Sequence, residues 1–182
     1  PGAPGFVYVA PEHQEAVQPL SGWFGHAAPF AFEPAFRPAH GVDRFLTGTA
    51  PVLSMTALDA ALDVFGDVDL AAVRAKSEAL CELMIARVEA RCGEAVTLAS
   101  PRVAAERGSQ VSFRSPEGYP VMQALIAAGV IGDFRAPDIL RFGMTPLYTR
   151  YADVYDAVEI LADILATRSW DRPEFHRRAA VT

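Results

Sequence analysis

One long segment of helical period divides this chain into two stretches that read differently. Asp69 is placed to cap it. Leu70, Val73, Ser77, Leu80, Leu83, Met84 and Val88 then recur at the spacing of one helix face, and Gly93 ends the run. What precedes it is aperiodic. The chain's 14 prolines concentrate towards the first third. From Val17 to His40, Pro, Gly and Phe follow one another without a period, which predicts an extended loop. A loop of that length is uncommon in a compact domain unless it carries a function. The apolar run Phe6–Ala10 predicts a short strand ended by Pro11, with a brief turn or helix at Glu12–Gln14. Phe45–Thr47 predicts another short strand, and Thr49–Pro51 a turn. Ser54 is the expected cap of a helix reaching about Phe65, with Leu58, Leu62 and Phe65 inward and Gly66 as its stop.

After Gly93 short β-type runs alternate with helical ones. Ala95–Leu98, Gln110–Arg114, Val130–Phe134 and Ile139–Phe142 read as strands, and Tyr119–Ala128 as a helix. Ala152–Arg168 reads as a closing amphipathic helix with Val154, Val158, Leu161 and Leu165 inward. Such interleaving predicts an antiparallel sheet covered on one side by helices, an α+β layer domain.

Composition narrows the chemistry. The net charge is −6, and Arg177-Arg178 is the one short basic run, so nucleic acid is not an expected partner. No apolar run approaches the ~20 residues of a membrane-spanning helix, and no secretory segment opens the sequence. Cys81 and Cys92 fall on one helix, too far apart along its axis to bridge. They read as reduced thiols, which fits a cytoplasmic protein. His13, His40 and His176 have no ligand-spaced partners, so no metal site is expected. No Walker or dinucleotide phosphate loop occurs.

Two places stand out chemically. In Pro19-Leu20-Ser21-Gly22-Trp23-Phe24-Gly25-His26, two large aromatics lie between glycines, and no period buries them all. The glycines permit close approach of another surface, and the indole N–H needs an acceptor if buried. A pocket-lining or interface loop fits this pattern, and so does a plain aromatic turn packed under the domain. Arg141, inside the apolar run Ile139–Phe142, would be costly unless paired. Its planar fork suits a carboxylate, either a ligand's or that of Asp133 or Asp138.

Several segments carry a resemblance to a known family. Pro1-Gly2-Ala3-Pro4-Gly5-Phe6-Val7-Tyr8-Val9 resembles the stretch that follows the cofactor lysine in kynureninases, pyridoxal-phosphate enzymes of the aspartate-aminotransferase fold type. The Pro19–His26 block is similar to that family's most characteristic motif, and Phe45-Leu46-Thr47-Gly48-Thr49-Ala50-Pro51 to its next turn. Gly129-Val130-Ile131-Gly132-Asp133-Phe134-Arg135 and the segment Asp138–Tyr148 resemble two late motifs. The likeness is collinear over nearly the whole chain, apart from the arginine-rich tail.

The resemblance implies an α/β protein with an α+β C-terminal domain. It comprises part of the large domain and the complete small domain of a fold-type I pyridoxal-phosphate enzyme. Residues 1–68 would belong to the large cofactor-binding domain, 69–93 to a linking helix and 94–182 to the small domain. Trp23 and Thr49 (with Thr47 equally placed) would contact the cofactor phosphate of a partner subunit in a homodimer. Arg141 would grip the substrate α-carboxylate, while the counterpart of Arg135 is structural. Phe24 would wall the aryl pocket, and His26 would either donate to substrate or hold the loop.

The implied cofactor is pyridoxal 5′-phosphate. The implied reaction is hydrolysis of L-kynurenine to anthranilate and L-alanine in cytoplasmic tryptophan catabolism, on the route to NAD, with 3-hydroxykynurenine as a possible second substrate. The family's Schiff-base lysine lies upstream of Pro1, and the sole lysine here, Lys76, reads as a solvated residue of a helix. The chain is therefore expected to be the C-terminal half of the enzyme and inactive alone. Two alternatives stay open. One is a cysteine desulfurase-like enzyme of the same fold, which a reactive cysteine in a flexible loop would favour. The other is a non-catalytic interaction module.

Overall fold

The computed structural model describes residues 4–177. The chain forms two compact units, Pro1–Val68 and Asp69–Thr182.

The first unit is held by short turns. Single turns of 3-10 helix occur at Pro11–His13 and Trp23–Gly25, and a longer one at Gly41–Phe45. Helix α1 spans Val52–Leu62 and continues as a 3-10 turn through Phe65. Neither strand expected in this unit forms. Phe6–Ala10 is extended without a ladder partner, and Phe6 is 95% exposed. Phe45 closes a 3-10 turn, and the backbone after it abuts glycines instead of pairing. The only β-type pairing among the described residues of this unit is an isolated bridge between His26 and Pro38.

Helix α1 also starts earlier than expected. Pro51 is its N-cap and Ser54 lies inside it. Leu58, Leu62 and Phe65, expected inward, are exposed. Apolar spacing places residues on one helix face, but burial needs an opposing surface.

The second unit holds the apolar core. Asp69 caps α2 (Leu70–Cys92), accepting a hydrogen bond from the Ala71 N–H at 2.8 Å, and Gly93 ends the helix at φ +56°. Ser77, Leu80, Met84 and Val88 are buried along it, whereas Leu70 in its first turn is exposed. Strands β1 (Thr97–Leu98), β2 (Gln110–Arg114), β3 (Asp133–Arg135) and β4 (Ile139–Gly143) form one antiparallel sheet in the order β1-β2-β4-β3. Helix α3 (Gly118–Ala127) packs against β3 and β4, and α2 against β2. Helix α4 (Tyr151–Thr167) lies on α2 and α3, and the short α5 (Pro173–His176) on α3.

The sheet is two-sided. Val111 and Phe113 of β2, Phe134 of β3, and Leu140 and Phe142 of β4 point into the core beside α3 and α4. Alternation then sends Ser112, Arg114, Asp133, Arg135 and Arg141 to the opposite face. β3 is shorter than expected and begins only at Asp133. A Cβ on the preceding Gly132 would stand 2.7 Å from Met122 Cε and 3.0 Å from the Arg141 carbonyl oxygen. The chain therefore enters β3 at a closeness that only glycine allows.

Candidate active site

The residues singled out in the sequence fall into both units. In the first unit, two segments interlock through missing side chains. A Cβ on Gly22 would lie 1.8 Å from the Thr47 carbonyl oxygen, and one on Gly25 would lie 2.5 Å from that of Leu46. The Trp23 turn is thus pressed backbone to backbone against residues 44–47. This sets the indole Nε1 of Trp23 3.9 Å from the position of a Cβ on Gly48. Trp23 remains 48% exposed, braced edge-on by Phe24 at 5.0 Å and Phe30 at 5.8 Å between ring centroids.

Its N–H has no acceptor among the described residues, and the Thr47 and Thr49 hydroxyls likewise have no partner there. Thr47, Gly48 and Thr49 line a cleft of about 630 Å³ with Phe6, Val42 and Leu46. Three unclaimed donors at a glycine-opened surface suit an anionic group with several acceptor oxygens. Trp23 does not itself line that cleft, and its indole N–H lies beside Gly48, which does; donors of this kind match the acceptor oxygens of a phosphate monoester.

His26 is differently occupied. It is 8% exposed. Its Nδ1 accepts from the Ala28 N–H at 2.9 Å, and its Nε2 lies 3.2 Å from the Ala35 carbonyl oxygen. Both ring nitrogens therefore serve the loop. Of the two roles open to His26 in the sequence, this geometry favours loop-holding, since no ring nitrogen is left to donate to a ligand.

Arg44, which sequence reasoning missed, organises the same unit. Its buried guanidinium donates to the Ala39 carbonyl at 3.1 Å and to the Ala16 carbonyl, and it pairs with Glu15. Its signal was an arginine beside the apolar Phe45-Leu46, the same pattern that drew attention to Arg141.

In the second unit, Arg141 occupies the middle of a central strand on the sheet face opposite the core. Its side chain is 29% exposed, so it is not sealed in the apolar slot that its neighbours suggested. Its Nη2 donates to Asp133, while its Nε is buried without a partner and Nη1 has none among the described residues. Asp138, the other partner considered, instead pairs with Arg114 at 2.9 Å. Arg135 lies 3.2 Å from Asp133.

Lys76 is half-buried and donates to the Pro146 carbonyl at 2.6 Å, which corrects the expectation of a freely solvated amine. Neither cysteine is activated. Cys81 is buried in α2, and burial pushes the Cys92 thiol up to about 11.

Known proteins resemble the chain in sequence and in fold. The family described as "Kynureninase C-terminal domain" matches residues 73–161. Kynureninase of Burkholderia mallei is 59% identical over 184 residues, covering all of this chain and 44% of the relative. That of Pseudomonas fluorescens is 51% identical over the same span. The sequence aligns with the C-terminal part of the kynureninases. It spans 44% of the length of these relatives.

Among solved structures, the cystine C-S lyase C-DES in complex with its reaction product, cysteine persulfide, superposes with a TM-score of 0.71 at 21% identity. The match covers 86% of this chain and 41% of that one. A lysine-to-alanine mutant of the same lyase, with glycine covalently linked to its PLP cofactor, gives a TM-score of 0.66 at 22% identity. Those two likenesses show a shared fold, while the kynureninase likeness extends over the whole sequence.

Proposed function

We propose that the chain is the C-terminal part of a pyridoxal-phosphate-dependent kynureninase that hydrolyses L-kynurenine, or its 3-hydroxy derivative, to anthranilate and L-alanine. The observation that carries this reading is the 59% identity to a kynureninase along the entire chain. The arrangement of donors in the first unit supports it. Trp23, through its indole N–H, and Thr47 and Thr49, through their hydroxyls, would hold the cofactor phosphate. Phe24 keeps the indole in place and offers an aromatic edge to an aryl substrate. The bound cofactor would act as an electron sink for the amino-acid substrate.

Arg141 would bind the α-carboxylate, and its unpartnered Nη1 supports that role. Gripping one end of the substrate fixes the direction of the bonds at Cα, and most of the rate gain from such a contact is orientation. Water then adds to the side-chain ketone and the Cβ–Cγ bond breaks. The cysteine desulfurase-like alternative is disfavoured, because the thiols of Cys81 and Cys92 are held protonated on a helix and not offered from a loop. A homodimer in the cytoplasm is part of the same proposal.

Arg141→Lys in an active kynureninase containing this chain tests the reading. Lysine keeps the charge and loses the fork. The expected outcome is a Michaelis constant for L-kynurenine raised roughly tenfold or more, with the cofactor absorbance intact. An unchanged Michaelis constant would remove Arg141 from the substrate site.

A further inference from the structure

Asp133 and Arg141 are directly opposite one another in the β3–β4 register. The Asp133 carboxylate accepts from Arg141 Nη2 and sits 3.2 Å from Arg135 Nη2, so one carboxylate lies between two guanidiniums. Arg114, the remaining arginine of this sheet face, is occupied by Asp138 at 2.9 Å. The cluster of Asp133, Arg135 and Arg141 therefore carries one net positive charge, which an incoming carboxylate would neutralise. The backbone beneath it is fixed by the close approach of Gly132 to the Arg141 carbonyl. Asp133 is itself partly exposed, and its side chain lies on the same face as Arg141.

We infer that Asp133 is a positioning residue for the substrate carboxylate. It holds the Arg141 guanidinium from one side and leaves Nη1 for the ligand, while Arg135 offsets its charge so that it does not repel the incoming anion. Two opposed effects meet here. A bare aspartate next to the clamp would weaken carboxylate binding by like-charge repulsion, whereas an aspartate that orients the fork strengthens it. The second guanidinium on the same carboxylate oxygen tips the balance towards orientation. This inference rests on the reading of Arg141 as the carboxylate clamp.

The test compares steady-state kinetics of Asp133→Asn, Arg135→Gln and Arg141→Lys in the active enzyme, with L-kynurenine and with an analogue lacking the α-carboxylate. Asp133→Asn is expected to raise the Michaelis constant for L-kynurenine roughly tenfold, with the turnover number changed by less than about twofold. The analogue should not distinguish this variant from the parent. Arg135→Gln, at an exposed side chain, leaves Arg141 as the one guanidinium on Asp133, cancels the net positive charge of the cluster and should raise the constant roughly threefold. It carries the test alone if Asp133→Asn does not fold. A raised constant in Arg141→Lys beside unchanged or lowered constants in the other two overturns the inference and leaves the clamp standing. Unchanged constants in all three overturn the clamp as well.

Discussion

Gly22 and Gly25 determine where Trp23 sits. With no Cβ, they let the Trp23 turn lie against the carbonyls of Leu46 and Thr47, and the indole N–H comes over Gly48 as a consequence. Gly22→Ala would put a methyl 1.8 Å from a backbone oxygen, and backbone cannot swing aside as a side-chain tip can. Overpacking of that kind costs about 1–3 kcal/mol. The expected outcome is a lowered unfolding midpoint together with weakened retention of pyridoxal phosphate in the active enzyme. Gly48→Ala, whose Cβ would meet the indole at an ordinary 3.9 Å, should fold normally. Equal unfolding midpoints for Gly22→Ala and its parent would show that the two segments do not interlock. The Gly-Trp-Phe-Gly pattern announced a close approach in the sequence, but its other side could not be read there. The contact joins segments about 25 residues apart, and no periodicity links them.

Elements show the same division between what a pattern encodes and what it leaves open. α2, α4 and β2 were legible because each buries one face on the core, which imposes a 3.6- or two-residue period on the sequence. α1 has its apolar residues exposed, so spacing indicated a helix without saying what it packs on. The pairing of Asp133 with Arg141 depends on the β3–β4 register, which a hairpin's turn sets and composition does not.

Between α2 and α4 an ionic link is added to the apolar packing. Glu159 accepts from Arg91 Nη2 at 2.7 Å and also pairs with Arg87, which stacks on Tyr155 at 4.1 Å. The Arg91 hydrogen bond, more than any other influence, holds the Glu159 carboxyl below its ordinary 4.5. A carboxyl depressed in the folded state adds stability that is present above 4.5 and is lost as pH falls through its lowered value. Glu159→Gln should therefore lower the unfolding midpoint at pH 7. Its gap to the parent should close as thermal melts are taken below about pH 4.5. A gap that stays constant with pH would mean that packing, not charge, joins the two helices there.

At the scale of the molecule the two units are held in different ways. Every buried apolar side chain among the described residues belongs to the second unit, from Leu80 to Trp170. Among the described residues of the first, only Gly25, His26 and Arg44 are buried. Amide hydrogen exchange on the isolated chain should accordingly find slow sites in α2, α3 and β2, and fast exchange throughout residues 4–68. Comparable protection in both units would refute this. The sequence foreshadowed the contrast, since aperiodic proline-rich stretches rarely build a core, although nothing in it revealed how fully Phe6, Leu20, Phe32 and Leu53 would face outward. That exposure carries a thermal consequence. Any surface that comes to cover these side chains removes apolar area from water, so the association must lower the heat capacity. Its hydrophobic driving force then weakens on cooling, and an assembly built on this unit would be cold-labile, loosening in the refrigerator before it does so at body heat.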